Sequence, residues 1–202
     1  MKIPSKYIEE AVEQLSSLQG IGKKTALRLV LNLLKRDRSD IERFSKAFIT
    51  MKENVKACES CGNISDLNIC TICSNEKRDH ETICVVEDIR DIMAIESTET
   101  FNGIYHVLGG VISPMDGIGP SDLNISSLIN KLENSEVKEI IFALSATMEG
   151  DTTNFYLFKK IKPFNVKVTS LSRGVSVGSE LHYADELTLG RSLLQRQPFS
   201  II

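Results

Sequence analysis

Apolar residues in the first 55 positions recur every three to four residues, the spacing of a helix with one buried face. Tyr7, Ile8, Ala11, Val12, Leu15 and Leu18 share such a face over residues 5–18, and Ser5 stands where an N-cap belongs. The turn Gly20-Ile21-Gly22 follows. A second helix then carries Ala26, Leu27, Leu29, Val30, Leu33 and Leu34. Ser39 opens a third, Asp40 to about Val55, with Ile41, Phe44, Phe48 and Met51 at helical intervals. From Ile83 the pattern becomes short apolar strands separated by amphipathic helices. The strands are Ile83–Glu87, Gly103–Leu108, Glu139–Leu144 and Val166–Thr169; the helices lie near Asp88–Glu96, Asn124–Glu133 and Thr152–Ile161. That alternation predicts a parallel sheet wrapped in helices. The Gly- and Pro-rich stretch Gly109–Ser121 reads as an ordered surface loop. The chain therefore divides into a helical block (1–56), a short cysteine-bearing segment (57–79), an α/β domain (80–175) and a C-terminal segment (176–202).

The cysteine-bearing segment holds four of the five cysteines, as Cys58-Glu-Ser-Cys61 and Cys70-Thr-Ile-Cys73. A CxxC turn presents two sulfurs to one ion, and two such turns close a tetrahedral zinc site with no open position. The site is thus structural, and works as a hinge-like staple between the helical block and the α/β part. Disulfide pairs or incidental cysteines are the alternative, disfavoured where no secretion signal is evident. The fifth, Cys84, sits in the apolar run Ile83–Val86 and reads as a small buried hydrophobe.

The net charge of −3 argues for little, but its distribution is uneven. Residues 1–57 hold 12 basic against 7 acidic residues, and the remainder 12 against 20. A basic N-terminal part suits nucleic acid, and an acidic remainder suits another partner. No apolar run is long enough to span a bilayer and no signal-peptide core is present, which points to a cytoplasmic protein away from membranes.

In Leu18-Gln-Gly-Ile-Gly-Lys-Lys-Thr-Ala-Leu-Arg28 the glycines allow close backbone approach, and a helix begins just beyond them. The start of that helix can bind a phosphate without reading a base. Lys24 and Arg28, four residues apart, extend the contact along one face; Lys23 and Arg36 are secondary candidates. The segment resembles the helix-hairpin-helix motif of DNA-binding proteins. A plain packing turn with solvated lysines is the alternative. The GxxxxGK[ST] spacing of a P-loop is absent.

In the α/β part, Glu87 ends the first strand, and Met148-Glu-Gly-Asp151 follows a later one. Ligands gather at the carboxyl ends of such strands, so Glu87, Glu149 and Asp151 could converge on magnesium. The pairing resembles the Toprim domain of topoisomerases and primases, with Glu-Gly-Asp in place of Asp-x-Asp. The alternative is that these acids cap helices, since Asp88 and Asp151 stand where N-caps belong.

The order of helix-hairpin-helix, four-cysteine clip and Toprim resembles the RecR family of bacterial recombination mediators. Thr82–Glu87, Tyr105–Pro120 and Tyr183–Arg191 agree with it, while Ser145-Ala146 and Ser176 depart from its usual residues. The resemblance implies a non-enzymatic protein with structural zinc that forms a homo-oligomer, commonly a tetrameric ring. It further implies binding to single- and double-stranded DNA and action with RecO, and in some settings RecF, to help RecA displace single-strand-binding protein. Glu87, Glu149 and Asp151 would then form a docking surface for RecO. The competing reading is a magnesium-dependent nuclease or primase-like enzyme using those same carboxylates.

Overall fold

The computed structural model describes residues 3–176, 178, 180–196 and 198. The C-terminal segment expected at 176–202 therefore lies partly outside the described residues. The chain splits into two compact units, Met1–Val55 and Lys56–Ile202.

The first unit is three helices: α1 (Lys6–Ser16), α2 (Lys23–Leu33) and α3 (Arg38–Asn54). Ser5 is the N-cap residue of α1 in extended conformation, although its hydroxyl makes no capping bond. Val12 of α1 and Ala26 and Val30 of α2 form the small core, packed with Ile8, Ala11, Leu15, Ile21 and Leu27. Tyr7, Leu18, Leu29 and Leu34, expected on buried faces, are exposed instead. With only two helices closing on each other, one stripe of each is covered and the flanks of the apolar arc face outward. The largest departure is α3. It forms as the periodicity demands, yet none of its residues is buried, and Phe44, Phe48 and Met51 stand exposed. Phe44 and Phe48 pack edge to face on each other, centroids 5.0 Å apart, which shelters part of each ring.

The second unit starts with the cysteine-bearing segment. Its two-residue strands β1 (Lys56–Ala57) and β2 (Ile64–Ser65) pair antiparallel. Next come β3 (Asp79–Val86), α4 (Ile89–Glu96), β4 (Gly103–Val107), α5 (Ile125–Asn134), β5 (Glu139–Phe142), α6 (Met148–Ile161), β6 (Lys167–Ser170) and α7 (Glu186–Leu194). Strands β3 to β6 form one parallel sheet in the order β4-β3-β5-β6. Side chains alternate across it. Ile83, Val85, Ile104, Leu108, Ile140 and Phe142 meet Leu128 and Leu132 of α5 and Leu157 and Ile161 of α6. On the opposite face Cys84, Val86, Tyr105 and Val107 meet Ile92 of α4. Burial on both faces explains why these strands read as continuous apolar runs.

Helix starts in this unit are set by side chains. Asp88 accepts from the Arg90 N–H at 2.7 Å, while Asp91 accepts back from the Asp88 N–H at 3.1 Å. Thr147, and not Asp151, caps α6, accepting from the Gly150 N–H at 3.1 Å. Asp151 lies inside the first turn, because α6 starts at Met148, earlier than its apolar periodicity suggests. Gly150 is fully enclosed where the loop from β5 folds over this turn, and a Cβ there would collide with the Ser145 carbonyl oxygen. Gly150→Ala should therefore lower stability by about 1–3 kcal/mol, the usual cost of overpacking. Urea unfolding followed by circular dichroism measures it, with the midpoint expected to fall.

Candidate metal centre and nucleic-acid interface

The two CxxC turns fold into facing knuckles. In the first, the Gly62 N–H donates to the Cys58 carbonyl at 2.9 Å, and the left-handed backbone of Gly62 (φ +76°) closes the turn. In the second, the Ser74 N–H donates to the Cys70 carbonyl at 3.0 Å. Amides then point at sulfurs: Asn63 N–H at Cys61 Sγ (3.4 Å), Cys73 N–H at Cys70 Sγ (3.5 Å) and Cys70 N–H at Cys58 Sγ (3.2 Å). Such bonds stabilise thiolates.

The four sulfurs lie within 4.8 Å of one another. Zinc–sulfur bonds of about 2.3 Å in a tetrahedron place sulfurs roughly 3.8 Å apart, and Cys61 Sγ and Cys70 Sγ are separated by 3.7 Å. Four sulfurs this close cannot all ionise unless a cation sits among them. The thiols already act on one another, since hydrogen bonding from Cys61 pulls Cys73 down to about 5 while the same bond pushes Cys61 up. The donor set and its size fit a structural zinc ion held by Cys58, Cys61, Cys70 and Cys73. All four positions are taken by protein, so the metal supplies folding free energy. Cys84 lies elsewhere, enclosed beneath α4, where burial pushes its thiol up to about 12.

This finger is fastened to the sheet. The Val107 N–H of edge strand β4 donates to the Cys61 carbonyl at 2.7 Å, and Asn124 Nδ2 donates to the Val107 carbonyl at 3.3 Å. Ile72, between the last two cysteines, packs on the face made by Val86, Tyr105 and Val107. Just beyond the finger, Arg78 makes a two-pronged ion pair with Glu96 of α4. Tyr105 Oη donates to the same carboxylate at 2.6 Å, and the Arg78 bond holds Glu96 below the usual carboxylate range.

In the helical unit, the Ile21 N–H closes the turn onto the Leu18 carbonyl at 3.1 Å, and Gly20 takes the left-handed conformation (φ +82°) that favours glycine. Gly22 precedes α2, and a Cβ added at either glycine would meet open space. The first α-helical bond runs from the Ala26 N–H to the Gly22 carbonyl, so the amides of Lys23, Lys24 and Thr25 point out of the helix start. Lys24 and Arg28 line a shallow groove of about 380 Å³ with Leu27, Leu31, Asn32 and Lys35. Lys23 is exposed on the first residue of α2, and Arg36 lies exposed beyond its end. Sequence reasoning misses Lys35. The signal that could have found it is a spacing of four, four and three along Lys24, Arg28, Asn32 and Lys35.

The carboxylates are placed differently from the expected cluster. Glu87 directly follows β3, next to β5, where the order of crossovers reverses; Ser145 Oγ donates to its Oε2 at 3.4 Å. Glu149 is exposed on the first turn of α6. Asp151 is taken by two arginines from the following segment, Arg173 at 2.6 Å and Arg191 of α7 at 3.4 Å. Among the described residues, the cysteine set alone groups three or more ligand side chains for a metal. Glu87, Glu149 and Asp151 form no such group there.

Cys58→Ser should leave three thiolates and sharply lower zinc content. The β4 edge would lose its cover, because metal binding free energy here is folding free energy. Metal analysis and protection of the Val107 amide from hydrogen exchange check this, with both expected to fall.

The same modules emerge from comparison with known proteins. Four family models match in chain order: the RecR helix-hairpin-helix over 8–52, the RecR four-cysteine zinc finger domain over 55–75, the Toprim domain over 81–172 and the RecR C-terminal model over 174–197. The chain is 59% identical to a Recombination protein RecR of Flavobacterium johnsoniae, over 98% of this chain and 97% of that protein. It is 56% identical to one of Bacteroides thetaiotaomicron and 52% to one of Porphyromonas gingivalis, each over 98% of this chain and 96% of the relative. With near-complete coverage in both directions and every module in order, the chain belongs to the RecR family.

Proposed function

We propose that this protein is a non-enzymatic, DNA-binding mediator of recombinational repair. It binds single- and double-stranded DNA through its helical unit and, with RecO and in some settings RecF, promotes RecA loading on DNA coated by single-strand-binding protein. The observation that carries the reading is the start of α2. Outward amides, open glycines and the Lys24–Arg28 face form a phosphate-binding surface without any means of reading base edges.

Exposed apolar side chains support a homo-oligomer. Ile41, Phe44, Phe48 and Met51 lie at helical spacing on α3, and the last three are exposed to solvent within this chain. A mediator that forms a ring, a tetramer by family resemblance, would cover such a face. No described helix is long and apolar enough to cross a membrane.

The carboxyl end of the sheet supports docking over hydrolysis. Glu87 and Glu149 remain available to a basic partner, RecO by resemblance, while Asp151 is already neutralised by Arg173 and Arg191. A magnesium-dependent nuclease would need those acids gathered and a positioned nucleophile beside them. The magnesium role is therefore left to the competing reading.

Lys24→Ala with Arg28→Ala should weaken binding to both DNA forms with little sequence dependence and reduce the salt slope by roughly two units at most. Fluorescence anisotropy across a salt series measures this, with oligomeric state checked by light scattering in the same variant. Unchanged binding at low salt would refute the assignment. Glu87→Gln with Glu149→Gln should slow association with RecO and leave DNA binding by the protein alone intact, since charge complementarity acts mainly on association rate. Surface plasmon resonance reads the rate; normal RecO binding, or magnesium-dependent cleavage of DNA by the wild type, would sink the docking role.

A further inference from the structure

Helix α2 carries its cations well past the helix start. At about 100° of turn per residue, Lys24, Arg28 and Lys35 fall within about 40° of one another around the axis. Leu31 stands in the same stripe, between Arg28 and Lys35, and is 43% exposed. The helix proper ends at Leu33, yet the turn continues. Leu34 keeps right-handed helical angles, and the Lys35 and Arg36 N–H groups donate to the Asn32 and Leu33 carbonyls at 3.2 and 2.9 Å. Lys35 therefore lines the same groove as Lys24 and Arg28, and the stripe runs for about 16 Å along the axis. Ala26 and Val30, the buried residues of α2, lie on another face.

No carboxylate of this chain answers these charges. Among the described residues, Lys24, Arg28 and Lys35 take part in no ion pair, whereas Arg38 and Arg43 of α3 pair with Glu42 and Asp40. Cations one helical turn apart repel each other. Three open cations in a groove lined by no acid suit an anion that is itself a row of charges, a sugar–phosphate backbone. The straightness of the stripe favours one form of DNA at its far end. The backbone of a duplex winds about its own axis and turns away from a straight helix, while a single strand bends to track a basic groove. Leu31 adds to this, since a single strand can turn sugars and bases onto an apolar side chain that a stacked duplex withholds.

We propose that Lys35 is a phosphate contact made by single-stranded DNA alone, so that the start of α2 binds both forms of DNA and its end tells them apart. The proposal rests on the DNA-binding role given above to Lys24 and Arg28. A lysine at a helix end also suits the helix dipole. Lys52 holds that place in the last turn of α3 and lines no part of the groove, so it separates the two roles.

The experiment uses the full chain and fluorescence anisotropy across a salt series, with labelled oligothymidine as the single strand and a duplex of equal length. On the single strand, Lys35→Ala should reduce the salt slope by about 0.7 and weaken binding by about 5- to 10-fold at low salt, the loss of one phosphate contact. Its duplex binding should match wild type. Lys35→Arg and Lys52→Ala should stay near wild type on both forms. Unchanged single-strand binding by Lys35→Ala overturns the proposal, and so does an equal loss on the duplex. An equal slope loss in Lys52→Ala overturns it too, as does a loss in Lys35→Ala that light scattering shows to accompany altered assembly. Should Lys35→Ala fail to fold, Lys35→Gln against Lys35→Arg decides on the same readouts, and equal values overturn the proposal. Full DNA binding by the Lys24→Ala, Arg28→Ala double variant would instead sink the underlying reading. A double variant weakened on both forms, beside a Lys35→Ala variant that binds as wild type, sinks the role of Lys35 alone.

Discussion

The α/β unit depends on how the finger is joined to the edge of the sheet, through the Val107 amide and the Cys61 carbonyl. Strand β4 is an outer strand, and its free backbone groups would otherwise invite pairing with another chain. The finger covers part of that edge. It cannot hold its own shape by burying apolar surface, since Ile64, Leu67 and Ile69 are exposed and its buried core is three cysteines. A metal centre supplies the missing free energy. Arg78 fastens the far end through Glu96 and the carbonyls of Phe101 and Gly103, so the segment is secured at both ends.

At the carboxyl end of the sheet, the loop after β5 and the C-terminal segment decide how the acids are placed. The loop after β5 crosses over Gly150, bringing Ser145 to Glu87 and setting α6 to begin at Met148. Asp151 then faces Arg173 and Arg191, and its charge is spent on tying the C-terminal segment to α6. Among the described residues, Glu87 and Glu149 take part in no ion pair, Glu87 accepting only from Ser145. The half-exposed Asp151 pair is worth little as stability, yet it fixes where the segment after β6 runs.

The basic and acidic groups of the chain stand on differently built units. Basic groups of α2 stand on a small three-helix unit with a minimal core, where backbone amides are accessible because glycines leave no side chain over them. Acidic groups stand on a larger unit whose sheet is sealed on both faces. Phosphate binding needs accessible donors more than a deep core, whereas holding a carboxylate at a strand end needs a rigid sheet beneath it.

Much was legible in the chain itself. The helical period marked α1, α2 and α3, continuous apolar runs marked the four sheet strands, and the spacing of Cys58, Cys61, Cys70 and Cys73 announced a closed four-sulfur site. These are local signals, carried by residues a few positions apart whose geometry is set by backbone periodicity or by a short turn. What tertiary structure decided are the outcomes of long-range competition. Apolar periodicity could not say that Phe44 and Phe48 stay uncovered within the chain, because burial depends on what packs opposite. Nor could the acidic motif foretell that Asp151 meets Arg173 and Arg191, from 22 and 40 residues away, instead of Glu87. Lys131 gave no signal at all, since a lone lysine on an amphipathic helix reads as solvated. In the fold its ammonium is buried without a hydrogen-bond partner among the described residues, a placement that packing decides and local pattern does not carry.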